Sequence, residues 1–496
     1  MHNSNKTPLI IVAVLLTVSA PLYFARGIGI FDDSLYLKAG QLILDGLIPY
    51  RDFYDIKPPG IYYVSAAIAA VGGRGWLAPR IFLFVFAAVF QIVLVRWVQR
   101  HFATRAATIA AVLIGLSYPM CQGYSLHPEP FAALATFIAC ALLLADMPSL
   151  RRWAAAGALL GLATSFKQTG VLYVAAFAVF AVFDTRRRQR RFSTLAATLA
   201  SLGAGFLVAL APLGLAFAAQ RLGPAMFNAV FTGGINRARG GLAPPAATVV
   251  TWLLCPAFIT FLILAVPLVG SPTTRAAMDD KRSRAFILFA LVGMFALLPT
   301  VKTSLVGHYM QPGAFAFSAA CALCLDGYLR MATIRPSRLV SGALIAVAAG
   351  YFVAVCGGSA LMLREHRLRN DLLLQRQVRQ TLDAHLDSDQ PVLCISISSA
   401  ARLYLMSGRR PFNHSLYFYP TIDDSFSLDD ARRVLLDGRP ASALVEIHPE
   451  VERPELSDDE LAALRVSYEI IPIGPQTSHR LLALISYRHN HPSKHT

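Results

Sequence analysis

Acidic residues are scarce in this chain: 29 Asp and Glu stand against 45 Lys and Arg in 496 residues, and charged residues of both signs make up only 15%. With 55% hydrophobic residues and a mean hydropathy of +0.51, so little charge excludes a water-soluble globule. Cysteine is sparse as well. Six of the seven lie in or beside apolar runs, and Cys394 stands alone in the C-terminal polar part, so that part has no disulfide of its own. Cys321 and Cys324 have CxxC spacing but sit inside an apolar run, where small soft side chains pack, and no metal framework follows. A glycine-rich phosphate loop and an internal repeat are both missing.

What the chain has instead is apolar segments of bilayer-spanning length, about 20 residues each. The first covers 8–24, and ten more lie near 80–98, 106–121, 130–146, 153–166, 170–183, 194–218, 246–270, 285–300, 308–326 and 338–361. Eleven spans are expected, of which 153–166 and 170–183 are short. The first run is read as a retained helix rather than a cleaved leader, because no small-residue cleavage site precedes the polar loop after it. The formal charge of +16 would suit nucleic acid in a soluble protein. Here Arg100 and Arg105, Arg151 and Arg152, 186–191, 275–284 and 330–338 fall in alternate loops, which the positive-inside rule places in the cytoplasm, and nucleic acid is not expected as a partner. The N-terminus is then cytoplasmic and the C-terminal part extracytoplasmic.

From 362 to 496 the composition becomes that of a soluble domain. Strands are expected at 392–397, 443–447 and 481–486, with helices at 371–386, 428–436 and 458–467 between them. Strands alternating with helices give a small α/β layer. The expected fold class is therefore a polytopic α-helical membrane protein, 1–361, with an extracytoplasmic α/β domain at 362–496.

One loop, 26–79, concentrates polar chemistry beside hydrocarbon. It holds Asp32, Asp33, Asp52, Asp55 and Lys57, and two short helices are expected in it, 34–45 lying along the membrane surface with Gly46 as its stop, and 60–71 after Pro58-Pro59. Asp32 and Asp33 admit two readings: a cap for the following helix, shared with Ser34, or a general base that activates an acceptor hydroxyl or amine. Lys57 is either a lysine reaching for the interface or a point cation for a lipid phosphate.

Asp32-Asp-Ser-Leu-Tyr36, Pro49-Tyr-Arg-Asp-Phe53 and Lys57-Pro-Pro-Gly-Ile-Tyr-Tyr63 resemble the first external loop of the GT-C glycosyltransferases, in particular the bacterial aminoarabinose (lipid A) transferases and protein O-mannosyltransferases. That family opens the loop with Asp-Glu, places a tyrosine four residues after the Asp, and follows with Lys-Pro-Pro. The resemblance implies transfer of a sugar from a polyprenyl-phosphate donor to an extracytoplasmic acceptor. It implies catalytic work for Asp32 with Asp33, and donor-phosphate binding by Lys57, joined by Lys167 from Phe166-Lys-Gln-Thr169. Asp33 stands where the family has Glu. Ile56 separates Asp55 from the lysine, where the family often has an acid directly before it, so Asp55 takes a secondary place. Glu129 in His127-Pro-Glu-Pro130 matches a second acid of the family, and its alternative is a charge placed at a helix N-terminus. His308 and Tyr309, in Gly307-His-Tyr-Met-Gln-Pro312, lie in a later motif. Asp55, Glu129, His308 and Tyr309 are thus acceptor or metal candidates; a divalent cation, Mg or Mn, shared by Asp32 and Glu129 is compatible with the acids but not required. Gly157 and Gly161 read as helix packing rather than dimerisation.

The rival function is a transporter or flippase for a lipid-linked sugar. Against it stand the odd span count, the lack of detectable halves and the lack of paired broken helices. A non-catalytic anchor for the C-terminal domain leaves the acids and lysines unexplained.

Overall fold

The computed structural model describes residues 6–27, 32–145, 149–233, 245–270, 280–301, 307–330, 338–396, 400–412, 428–447, 456–473 and 480–487. The chain forms two compact units: Met1–Phe24 with Arg80–Arg221 and Gly240–Arg364, and Ala25–Pro79 with Leu222–Arg239 and Glu365–Thr496. The loops expected at 275–279, 302–306 and 331–337 lie outside the described residues.

The first unit is helical. Its helices are α1 (Thr7–Phe24), then, beyond the two short loop helices α2 (Asp32–Leu44) and α3 (Gly60–Gly72), α4 (Leu77–His101), α5 (Thr104–Met120), α6 (Glu129–Ala145), α7 (Leu150–Phe166), α8 (Val171–Arg187) and α9 (Phe192–Ala219). They continue with α10 (Pro245–Leu253), α11 (Pro256–Gly270), α12 (Asp280–Leu297), α13 (Gln311–Arg330) and α14 (Arg338–Arg364). Each apolar stretch singled out in the sequence is helical over most of its described residues. Among the described residues, six helices are long and apolar enough to cross a bilayer, or seven if a bent pair forms one span. That pair is α10–α11, bent by 95° where the sequence suggested one continuous segment. The break falls just before Pro256, whose ring disfavours helix in the preceding residue and removes an N–H.

Close packing in this unit depends on glycine. A Cβ at Gly205 of α9 would stand 1.8 Å from the Ala154 carbonyl oxygen of α7, and one at Gly157 would stand 2.0 Å from the Leu202 carbonyl oxygen. Gly157 and Gly161 therefore seat α9 within the same chain, as small-residue stripes do in apolar surroundings. Gly205→Val is expected to destabilise the unit by roughly 3 kcal/mol, the upper range of overpacking costs. Thermal unfolding in detergent should show this, with Gly203→Ala, which meets nothing within 4 Å, unchanged.

The second unit combines α2 and α3 with a four-stranded sheet in the order β1-β2-β4-β3: β1 (Leu393–Ile395), β2 (Ser442–Ile447), β3 (Tyr468–Ile473) and β4 (Arg480–Ser486). β1 runs parallel to β2, with Cys394 opposite Leu444, and the other pairings are antiparallel. Four helices accompany the sheet, α15 (Arg367–Asp383), α16 (Ala400–Ser407), α17 (Leu428–Leu436) and α18 (Asp458–Leu464). Three strands coincide with the runs read from the sequence. β3 was not expected, because Glu469 and Pro472 spoil its pattern; it lies at the sheet edge, where a missing N–H is tolerated. By composition the chain divides near 361, but by packing the loop at 26–79 belongs with the C-terminal part.

Candidate functional site

Helix α2 begins at Asp32, so both acids occupy its first turn, where the helix dipole favours negative charge. The helix was expected to lie on a membrane surface with one face exposed. Instead every residue from Asp33 to Leu42 is buried. Two contacts explain this. Gly40 lies so close to α3 that a Cβ would approach the Ser65 carbonyl carbon to 2.5 Å. On another face Lys38 donates from Nζ to the Arg409 carbonyl oxygen at 2.8 Å, just past the end of α16. Gly46, at φ +83°, ends the turn after α2 in the left-handed conformation that glycine adopts without strain.

The two acids are not equivalent. Asp33 is buried and its Oδ2 lies 3.1 Å from the Arg26 guanidinium. Asp32 is only half-buried and so remains reachable from solvent. Asp55 is fully engaged in local structure: Oδ1 accepts from the Ile56 N–H at 2.7 Å and Oδ2 from the Tyr62 hydroxyl at 2.6 Å. Asp52 closes the turn before it by accepting from the Ile48 N–H at 2.8 Å. Lys57 is 3% exposed. Among the described residues its ammonium has no ion-pair partner, whereas its carbonyl oxygen accepts from the Tyr50 hydroxyl at 2.5 Å.

In the first unit Glu129 opens α6, and Lys167 sits in the break after α7. Lys167 Nζ meets Glu129 Oε1 at 2.6 Å, with both side chains 3% exposed. The ammonium also stands 4.2 Å from the centre of the Tyr309 ring, a cation–π contact. His308 places Nε2 3.7 Å from the same Glu129 oxygen and Nδ1 3.2 Å from Gln122 Oε1, and its ring stacks on that of His127 at 3.9 Å. Glu129, Lys167, His308 and Tyr309, far apart in sequence, thus form one cluster. Glu129 Oε2 is buried without a hydrogen-bond partner among the described residues. Chemically this oxygen suits a donor group of an acceptor molecule or a hard cation such as Mg or Mn.

Sequence reasoning missed several participants. Arg26 carries the charge that holds Asp33, and a lone arginine between an apolar run and an acidic loop gives no signal of its pairing. Tyr50 and Tyr62 were quoted only as part of a motif; a tyrosine two residues after a Pro-Pro helix start was the available clue to Tyr62. Gln122 and His127 join the Glu129 cluster through the turn after α5. Lys38 gave no signal beyond a charge on an otherwise apolar helix, and burial pulls its pKa from 10.5 down to about 8.

Residues 56–214 match the family described as dolichyl-phosphate-mannose-protein mannosyltransferase. The match begins one residue before Lys57 and includes Glu129 and Lys167. No curated protein matches the chain by sequence. Among solved structures, the chain is similar to ArnT from Cupriavidus metallidurans bound to undecaprenyl phosphate, with a TM-score of 0.66 and 16% identity over 96% of this chain and 97% of that one. The apo state of the same ArnT gives a TM-score of 0.61 at 16% identity, with the same coverage. The oligosaccharyltransferase of Archaeoglobus fulgidus, tethered with an acceptor peptide, gives 0.50 at 12% identity over 89% of this chain and 69% of that one. At such identities the structures establish a shared fold. This multi-pass membrane chain thus carries the family's match over residues 56–214 and shares a fold with ArnT over nearly its whole length.

Proposed function

We propose that the protein catalyses inverting transfer of a sugar from a polyprenyl-phosphate-linked donor to a cell-envelope acceptor, whether lipid A, the lipopolysaccharide core, another glycan or a protein. The reaction takes place on the extracytoplasmic face of a bacterial inner membrane, crossed eleven times, with the N-terminus in the cytoplasm and 362–496 outside it. Alternation of basic and acidic loops supports that orientation.

The observation that carries the proposal is Lys57, a lysine only 3% exposed with no carboxylate at ion-pair distance among the described residues. An uncompensated buried charge is costly, and an anionic ligand removes the cost. In the reaction Asp32 accepts the proton of the acceptor hydroxyl or amine. The freed electron pair attacks the anomeric carbon from the side opposite the phosphate, and the carbon–oxygen bond to the phosphate breaks. Polyprenyl phosphate departs with its negative charge held by Lys57. Asp33, already bound to Arg26, orients the acid-bearing turn rather than taking the proton. Lys167, its charge balanced by Glu129, shapes the polar cluster of the first unit.

Mass spectrometry of envelope glycans from cells with and without the protein tests this reading and names the sugar and acceptor together. Lys57→Met should reduce product by roughly 10²–10³-fold, the usual loss when a group stabilising transition-state charge is removed. An unchanged glycan profile in the deletion strain would argue for a transporter or a silent anchor instead.

A further inference from the structure

Lys57 precedes Pro58 and Pro59, which have no N–H to give, and in the first turn of α3 the amides of Tyr62 and Tyr63 donate to the Pro59 carbonyl at 3.0 and 3.2 Å. Among the described residues no backbone N–H donates to the Lys57 carbonyl. Two phenols take over. The Tyr50 hydroxyl donates to that oxygen at 2.5 Å, and the Tyr62 hydroxyl lies 3.2 Å from it while donating to Asp55 Oδ2 at 2.6 Å. Asp55 is itself tied to the Ile56 amide at 2.7 Å. The result is a closed polar ring around the lysine's main chain, made from residues 50, 55, 56, 57 and 62, and Tyr50, Asp55, Lys57 and Tyr62 are all buried.

Tyr50 reaches its place at a conformational cost, with φ at +65°, a region that non-glycine residues rarely adopt. Phe53 and Tyr36 press on the Tyr62 ring, with centroids 5.8 and 6.2 Å away, so the phenol has little freedom to swing. Burial, followed by the charge of Asp55, raises the pKa of both phenols well above the ordinary value, so both remain proton donors through the physiological range.

We propose that Tyr62, backed by Asp55 and joined by Tyr50, is a positioning residue that fixes the Lys57 backbone and so aims its ammonium at the phosphate of the lipid carrier. This rests on the reading of Lys57 as the phosphate-binding group. Neither tyrosine needs to touch the donor. A lysine side chain has four rotatable bonds, and a floating backbone would add to the entropy lost on every binding event.

The test measures binding of undecaprenyl phosphate to the full-length protein in nanodiscs. Lys57→Met should raise Kd at least tenfold, and Tyr62→Phe about fivefold, with the melting temperature of the Tyr62→Phe protein close to wild type. The pair Tyr62→Phe/Lys57→Met should bind no worse than Lys57→Met alone, since aiming is worthless without an ammonium to aim. Full additivity of the two losses would mean that Tyr62 acts on its own account and would overturn the proposal. So would a wild-type Kd in Tyr62→Phe. If Lys57→Met itself binds normally, the phosphate-site reading falls first and the positioning role goes with it. A loss in Lys57→Met with none in Tyr62→Phe leaves that reading standing and removes only the positioning role.

Discussion

Asp32→Asn is expected to lower the rate of sugar transfer by roughly 10²–10⁴-fold, the usual contribution of a positioned general base. The amide keeps the shape of the carboxyl but cannot take a proton. Because Asp32 is half-buried, the change should cost less stability than the loss of a fully buried acid. Asp33→Asn is different in kind. It leaves the Arg26 guanidinium without its partner at 3.1 Å, so it should lower both activity and melting temperature. Comparing the two variants in glycan profile and thermal unfolding separates the base from its support. An Asp32→Asn protein that transfers sugar at the wild-type rate would sink the catalytic assignment of that residue.

The second large effect concerns stability. Glu129 and Lys167 are each 3% exposed and 2.6 Å apart. Removing one partner of such a pair leaves a buried, uncompensated charge, at a typical cost of about 3–5 kcal/mol. Glu129→Gln should therefore melt well below wild type. The double variant Glu129→Gln/Lys167→Met removes both charges and should recover more than half of the loss. Thermal unfolding in detergent reads both. If the double variant were no more stable than Glu129→Gln, the ion pair would not be the source of the cost. Because the pair is 38 residues apart in sequence, the experiment also tests the packing of α6 against α7.

The outline of the molecule was legible in the sequence because hydrocarbon thickness fixes helix length and charge bias marks loops. Asp32 and Lys57 stood out for the same reason: polar groups next to so much apolar chain are expensive. What lay beyond reach were relations set by contact. Nothing in the pattern of α2 tells that Lys38 will be buried against a carbonyl 371 residues away. Hydrophobic period predicts which face of a helix is apolar, not how many neighbours it meets, so a surface helix was expected where a buried one stands. The pairing of Lys167 with Glu129 was hidden likewise, because each residue by itself reads as a charge at a helix end. The bend before Pro256 was different. There the signal was present, and a long apolar run outweighed it.

The composition of the second unit carries a consequence for biosynthesis. Two of its three pieces, Ala25–Pro79 and Glu365–Thr496, flank most of the chain. Ribosomes add about 5–20 residues per second, so the later piece emerges tens of seconds after the earlier one. During that interval Lys38 has no Arg409 carbonyl to reach, and α2 has no α16 to cover it. The acid-bearing loop is therefore completed last, although it is made almost first. A chain cut short by stalled translation or proteolysis would carry Asp32 and Lys57 yet lack the carbonyl against which Lys38 of α2 is buried.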